Sequence, residues 1–296
     1  MPALQRVEMK SRKGRLTYGV IMTILCVGIP MQVFPYIWIL LSMFKANKEV
    51  RAIPPTFFPN KWLWENIPQT FAKYHLEQNI LNSLLLCVGV ILIQVTISTL
   101  AAYALSKLKP KGSKWVMTFF LGTMMINSQA LAWPTYIMFT NFFGVRMIDN
   151  LWSLILSFSA WAWAIFILKS FFDSLPQDLL ESARIDGANR WQTLWRVTIP
   201  NVMPSITICM FLSLTNGFKL FDQNLALTAG RPFQQLGNGE TIKTTEMLAL
   251  NIVNAFGTSG GGNRGVGQAK AVIFFIVVAA ISIIQLQANR RKEVQQ

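Results

Sequence analysis

Charged residues are absent from six long stretches of this 296-residue chain. A helix rises about 1.5 Å per residue, so about 20 apolar residues cross the roughly 30 Å hydrocarbon core of a membrane. Each stretch is long enough for one crossing, and none leaves room for two crossings and the turn between them. The pattern therefore predicts six transmembrane helices, at residues 17–44, 79–106, 115–142, 150–168, 201–219 and 270–289.

The overall composition is that of a polytopic membrane protein rather than a soluble one. Hydrophobic residues make up 52% of the chain and charged residues only 14%, with a mean hydropathy of +0.39, whereas soluble domains carry about 25% charged residues. The first stretch follows a basic segment, but it exceeds the roughly 7–15 apolar residues of a signal peptide. We therefore expect it to remain as a helix, and the predicted fold class is all-α.

The net charge of +14 indicates orientation in the membrane rather than a nucleic-acid partner. Lys and Arg accumulate in the cytoplasmic loops of membrane proteins. Both termini, 1–16 and 290–296, are therefore expected in the cytoplasm together with loop 169–200, and loops 45–78 and 220–269 are expected outside. The basic residues that set this orientation are Arg6, Lys10, Arg12, Lys13, Arg15, Lys107, Lys109, Lys111, Lys114, Arg290, Arg291 and Lys292.

The cytoplasmic loop 169–200 is amphipathic and predicts two short helices. Ser174 followed by Gln177 has the spacing of a capping box at a helix start. Ala183 and Gly187 fall at helical spacing, and Gly187 suits a left-handed helix end or a close backbone contact. The loop is too short for a catalytic domain, so we interpret it as a helix presented to a cytoplasmic partner.

This loop also carries a short motif, Glu181-Ser182-Ala183-Arg184-Ile185-Asp186-Gly187-Ala188, followed by Val197-Thr198-Ile199-Pro200. The motif resembles the EAA loop of bacterial ABC importer permeases, which have a MetI-like fold, and the Asp-Gly-Ala triplet is similar to the carbohydrate branch. Three positions depart mildly from the family pattern, with Ser182 for Ala, Val197 for Ile and Ile199 for Leu. Segments 79–105 and 218–232 resemble sugar permeases of the maltose-transporter type.

The resemblance implies a permease core over residues 79–289, with a coupling loop at about 174–200. It implies a heterodimer with a second permease subunit, a cytoplasmic ABC ATPase dimer and an external solute-binding protein, assembled in a bacterial plasma membrane that the chain crosses several times. The implied substrate is a sugar, specifically an oligosaccharide, and ATP is hydrolysed in a partner subunit, so this chain is not an enzyme. The residues implied in ATPase coupling are Glu181, Ser182, Ala183, Asp186, Gly187, Ala188 and Pro200.

Neither a cofactor nor a metal is expected. The glycine-rich run 259–267 lacks the Gly-Lys-Ser/Thr ending of a phosphate-binding loop. The three cysteines, Cys26, Cys87 and Cys209, are too dispersed for a metal site or a disulfide framework. ATP binding is therefore expected in another subunit.

Two other classes of membrane protein remain as alternatives. A self-contained secondary carrier holds an ionisable residue near the middle of the membrane, and a membrane enzyme needs a cluster of His, Cys, Asp or Glu at the membrane face. The predicted spans supply neither. For the sugar path of the preferred interpretation, the candidates are two neutral polar residues, Gln129 and Asn216.

Overall fold

A computed structural model describes residues 12–127, 129–235, 241–257 and 262–290. The chain divides into two compact units, one of residues 1–70 and 256–272 and the other of residues 71–255 and 273–296. The predicted tail 1–16, the tail 290–296 and the glycine-rich run 259–267 lie wholly or partly outside the described residues.

The described residues are mostly helical. The helices are α1 (Arg12–Ser42), α2 (Asn47–Val50), α3 (Asn66–Ala72), α4 (Leu76–Tyr103), α5 (Ser113–Thr123), α6 (Ala132–Thr140), α7 (Leu151–Ser157), α8 (Ala162–Ser174), α9 (Gln177–Ile185), α10 (Arg190–Gln192), α11 (Ile199–Asn201), α12 (Met203–Phe218), α13 (Asp222–Leu227), α14 (Leu248–Phe256) and α15 (Arg264–Arg290). A first π turn (Ala104–Leu108) follows α4, and a second π turn (Thr193–Thr198) follows α10.

Three helices are long and apolar enough to cross a membrane: Lys13–Ser42, Leu76–Leu108 and Arg264–Ala288. Two bent pairs satisfy the same criteria, α7 with α8 at 45° and α10–α11 with α12 at 72°. The described residues therefore contain three to five candidate spans by length and composition.

The prediction of a single helix over 115–142 is wrong. The chain forms α5 and α6 there, with turns between them. The Asn127 side chain accepts a hydrogen bond from the backbone N–H of Gln129 at 2.9 Å, and the Asn127 carbonyl accepts one from Ala130 at 3.1 Å. An asparagine that bonds to its neighbouring backbone in this way competes with the helical ladder, and it interrupts the apolar stretch.

The described part of the chain also departs from an all-α fold, because β1 (Phe233–Gln235) and β2 (Thr241–Lys243) pair antiparallel. Helix α15 begins at Arg264, six residues before the predicted start, and Lys270 is buried within it. The described residues of the predicted external loop 220–269 therefore form two helices, two strands and the first turns of α15.

In the first unit, Asn66 and Lys45 organise the segment after α1. The Asn66 amide donates to the carbonyls of Met43 at 2.8 Å and Lys45 at 3.1 Å. The Lys45 ammonium lies 4.5 Å from the Trp38 ring centroid and donates to the Thr56 carbonyl. Burial lowers the pKa of the Lys45 ammonium, and the Glu49 carboxylate partly opposes that shift. Cation–π and carbonyl contacts thus replace water around a buried charge.

In the second unit, α4 is the central helix and packs against α8 and α12. Gly217 of α12 lies so close to α4 that an added Cβ would stand 2.8 Å from Cys87 Sγ. Small residues of this kind allow helices in a membrane to approach closely. A core cluster joins the three helices through Ala102, Leu105, Ala164, Ile165, Leu168, Phe172, Val202, Ile206 and Cys209.

Candidate functional site

Helix α9 begins directly after Pro176, which occupies its N-cap position without a side-chain cap. The predicted capping box at Ser174 and Gln177 is therefore wrong. Ser174 belongs to the last turn of α8, where its hydroxyl donates to the Phe171 carbonyl at 2.8 Å. Asp178 supplies a negative charge in the first turn of α9, where the helix dipole favours it.

The end of α9 is a Schellman cap built by the motif residues. The Ala188 N–H donates to the Ala183 carbonyl and the Gly187 N–H to the Arg184 carbonyl, each at 3.0 Å. These are the two bonds that define this cap. Gly187 has φ of +81°, so the predicted left-handed helix end is confirmed. An added Cβ on Gly187 would meet nothing within 4 Å, so the backbone conformation rather than crowding inside the chain requires glycine.

The α9 surface carries the remaining motif residues. Glu181, Ser182 and Asp186 are exposed, whereas Ala183 is only 7% exposed and holds the helix against the protein. Ile185 is 81% exposed, whereas isoleucine is among the residue types most often buried in folded proteins. The exposed surface of α9 and its C-cap thus combines two apolar side chains, Leu179 and Ile185, with the carboxylates of Asp178, Glu181 and Asp186.

A capping box does occur in this loop, at α10. The Asn189 side chain accepts from the Gln192 N–H at 2.7 Å, and the Gln192 side chain accepts from the Asn189 N–H at 2.9 Å. This reciprocal pair fixes the start of the second short helix. Trp191 lies in α10 and Trp195 in the second π turn. They are 64% and 52% exposed, and their ring centroids are 5.6 Å apart.

Pro200 follows the second π turn and lies in α11. Proline has no N–H, so it cannot bond to the Arg196 carbonyl as an α-helical residue would. The Thr198 hydroxyl instead donates to the Thr193 carbonyl at 3.1 Å, and the Asn201 amide donates to the Val197 carbonyl at 2.7 Å. Pro200 is half-buried, so its observed effect is on the backbone that connects the loop to α12.

The two sugar-path candidates, Gln129 and Asn216, lie in different elements and make no hydrogen bond to each other among the described residues. The Gln129 amide donates to an Asp222 carboxylate oxygen at 3.3 Å in an exposed position. Asn216 is exposed on α12.

A buried carboxylate, Glu246, is the polar centre that the sequence interpretation missed. Its side chain is 6% exposed and accepts from Lys243 Nζ at 3.0 Å. The amides of Asn251, Asn254 and Asn79 donate to the same carboxylate at 2.7, 2.5 and 3.5 Å. Asparagines three residues apart share a helix face, and the pair on α14 was the available sequence signal.

The segment around Glu246 is tied to the start of α4. Asn82 donates to the Thr244 carbonyl at 2.8 Å, and Asn79 donates to the Glu246 carbonyl at 3.0 Å. The Leu248 N–H donates to Ser83 Oγ at 2.9 Å. Together these bonds connect the segment around Glu246 to α4. No group of three or more His, Cys, Asp or Glu that could hold a metal occurs in the described ranges.

The sequence matches one family model over residues 94–294, described as binding-protein-dependent transport system inner membrane component. Among similar proteins, the probable starch degradation products transport system permease protein AmyD of Thermoanaerobacterium thermosulfurigenes is 41% identical over 157 residues, which are 53% of this chain and 47% of that protein. The diacetylchitobiose uptake system permease protein NgcG of Streptomyces coelicolor is 28% identical over 64% of this chain and 63% of that protein.

A longer match joins this chain to the inner membrane ABC transporter permease protein YcjP of Escherichia coli, which is 30% identical over 75% of this chain and 82% of that protein. The chain thus spans about half to two thirds of the first two relatives and most of the third.

Among solved structures, a chain of a bacterial ABC transporter involved in import of the acidic polysaccharide alginate superposes with a TM-score of 0.76, at 18% identity, over 94% of this chain and 97% of that chain. The likeness shows a shared fold. The family match covers more than half of the sequence and includes the whole loop from α9 to α12. This chain therefore belongs to the family of inner membrane components of binding-protein-dependent transport systems.

Proposed function

We propose that this chain is a transmembrane permease subunit of an ATP-driven importer for a sugar, and that the loop around Glu181–Gly187 couples it to a separate ATPase. The observation that carries the proposal is α9 itself. A short helix with a fixed Schellman end presents Glu181 and an 81%-exposed Ile185 within the sequence range of the family match. Such a surface is suited to insertion into a groove of a partner protein.

The substrate class rests on the relatives. The permeases named for starch degradation products and for diacetylchitobiose both belong to systems for sugars, and the related alginate transporter imports a polysaccharide. We propose an oligosaccharide as the substrate of this chain. Gln129 and Asn216 remain candidates for contacts along its path.

The same proposal assigns four partners to the chain in a bacterial plasma membrane. They are a second permease subunit, two cytoplasmic ATPase subunits and an external solute-binding protein. A related alginate transporter has been solved in complex with a pentasaccharide-bound periplasmic protein, which supports the last partner. We further propose six membrane crossings with both termini in the cytoplasm, so that α9 and α10 face the ATPase.

Co-purification from the native membrane tests the proposal directly. A tagged chain should recover a second permease and an ATPase, and ATP hydrolysis in liposomes should rise with the binding protein and a panel of maltose, maltotriose and diacetylchitobiose. Glu181→Ala should lose the stimulation, because it removes the charge that the exposed helix face offers. Gln177→Ala, at an exposed position on the same helix, is the matched control.

Two outcomes would contradict the proposal. One is recovery of the chain alone with gradient-driven sugar uptake, which would support the secondary carrier instead. The other is an equal effect of Glu181→Ala and Gln177→Ala, which would remove the specific role of the motif. For the topology, a membrane-impermeant thiol reagent added outside intact cells should leave Ser182→Cys unlabelled and should label Trp62→Cys in the loop after α1.

A further inference from the structure

Two consecutive residues in the first π turn, directly after α4, bond to the junction between α8 and α9. In the first π turn, Ser106 Oγ donates to an Asp173 carboxylate oxygen at 2.5 Å. The neighbouring Lys107 Nζ donates to the Leu175 carbonyl at 3.3 Å. We refer to Ser106, Lys107, Asp173 and Leu175 as the junction clamp. It joins segments that lie 67 and 68 residues apart in the sequence.

The position of the clamp is what makes it informative. Asp173 is the penultimate residue of α8, Leu175 and Pro176 lie between the helices, and α9 begins at Gln177. Without the clamp, Leu175 and Pro176, with ψ of 125° and 137°, would be a natural hinge. Hinges are positions where a few residues outside the helices absorb a change in backbone angles.

Burial differs sharply between the two halves of the clamp. Ser106 is 1% exposed, so loss of its partner would leave a buried hydroxyl without a hydrogen bond. Asp173 is 43% exposed and also pairs with Lys169 of its own helix at 2.5 Å. That i,i+4 pair stays within α8 and cannot connect two elements. The bond from Ser106 is therefore the part that links α8 to α4.

Helix α4 is well placed to distribute a displacement that reaches its end. It packs against both α8 and α12, and α12 continues from the other end of the coupling loop through α11. The aromatic contact between Tyr103 and Phe172, with centroids 5.8 Å apart, lies beside the clamp and adds an apolar contact between the same two helices. The end of α4 and the end of α8 are thus fastened by both polar and aromatic contacts.

We propose that Asp173 and Ser106 are positioning residues for transport, which make α9, the end of α8 and the end of α4 move as one body when the ATPase moves α9. The inference rests on the proposed function and deepens it. It assigns α4, which has no residue in the motif, the role of second recipient of the displacement. The clamp prevents the two residues at the α8–α9 junction from absorbing that displacement as a local bend.

Distances between spin labels test this in the assembled transporter. The labels are placed at Leu179→Cys in α9, Leu108→Cys in the first π turn and Gln287→Cys in α15, all exposed, in a chain whose exposed Cys26 is replaced by Ser. Trapping with ATP and vanadate should change the distance from position 179 to 287. The distance from 179 to 108 should stay constant, because the clamp holds these two segments together.

The variants separate the clamp from general stability. Ser106→Ala should broaden the 179–108 distances and reduce sugar transported per ATP hydrolysed about threefold to tenfold. That is the range expected from one partly exposed, charge-assisted hydrogen bond. Assembly with the ATPase and basal hydrolysis should be retained. Ser170→Ala, which removes an exposed hydroxyl bonded within α8, is the matched control and should change neither the distances nor the transport ratio.

The outcomes are distinct for the two proposals. A nucleotide-dependent change in the distance between positions 179 and 108, in a transporter with Ser106 and Asp173 intact, would overturn the clamp proposal and leave the importer proposal standing. Equal transport ratios for Ser106→Ala and Ser170→Ala, with both proteins assembled, would do the same. No change in any of these distances in an assembled and hydrolysing complex would overturn both proposals.

Discussion

Gly187 ends α9 with a positive φ, and substitutions at this position separate two explanations of its role. The resemblance to the EAA loop implied that glycine allows close approach of a partner backbone. The structure adds a different reason, because φ is +81° and the two bonds of the Schellman cap depend on it. An added Cβ would have no neighbour within 4 Å in this chain, so a substitution perturbs either the backbone or the partner contact.

The magnitude follows from the backbone. An L-residue other than Gly or Asn costs roughly 1–2 kcal/mol in the left-handed region, which corresponds to about a 5- to 30-fold change in the equilibrium between the capped and uncapped ends. Asn tolerates this region much better, although its side chain is larger than that of Ala. If the backbone is decisive, sugar-stimulated ATP hydrolysis should fall in the order Gly, Asn, Ala.

The assay compares Gly187→Asn and Gly187→Ala in the reconstituted complex, with expression and binding of the ATPase measured in parallel. The backbone explanation expects Asn to retain most of the stimulation and Ala to lose most of it. The opposite order, with the larger Asn worse than Ala, would refute the reasoning and favour close approach by the partner. Gly144→Ala, with φ of +86° and also no neighbour within 4 Å, is a control for strain outside the loop.

Three further predictions concern stability. Gly217→Ala should lower the free energy of unfolding by about 1–3 kcal/mol, and with it the melting temperature, because the new Cβ would lie 2.8 Å from Cys87 Sγ. Adding Cys87→Ala in the same chain should restore the melting temperature, and a failure to do so would contradict this packing. Glu246→Ala should cost about 1–3 kcal/mol or more in thermal unfolding, since it leaves buried amides without an acceptor. Glu77→Ala, at a side chain 59% exposed in the first turn of α4, should cost less than about 1 kcal/mol; equal losses would argue against the cluster. Asn189→Ala should cost about 1 kcal/mol of helix stability and Asn189→Ser much less, measured by amide exchange in α10; equal exchange in both would exclude the cap.

The sequence predicted those features that depend on local pattern. Apolar stretches located α1, α4 and α12 to within a few residues, because length and hydrophobicity alone decide whether a helix can lie in a membrane. Gly187 was identified as a helix end, because few residues adopt positive φ. These properties are carried by neighbouring residues, so no knowledge of distant contacts was needed.

Other features depend on competing hydrogen bonds or on contacts between residues far apart in the sequence, and these features were not predicted. The break between α5 and α6 contains Asn127, whose side chain accepts from the Gln129 N–H and so competes with the helical ladder. Ser174 fits a capping box by spacing, but α8 extends through it and satisfies its hydroxyl. Asn79, which bonds to Glu246, lies 167 residues from it, and Ser106, which bonds to Asp173, lies 67 residues from it, so only the folded chain brings each pair together.

The second π turn contains one residue that an α-helix would not need. A π turn holds one more residue than an α-helical turn of the same height, and such turns are frequent at functional sites. Removing one residue between 193 and 198 would therefore let an α-helical turn span the same height and keep the following helix in its orientation. Removing one residue from α12 before Gly217 would instead rotate the rest of that helix by about 100° and turn Gly217 away from Cys87 of α4. We therefore expect a single deletion to be tolerated in the second π turn and not in α12.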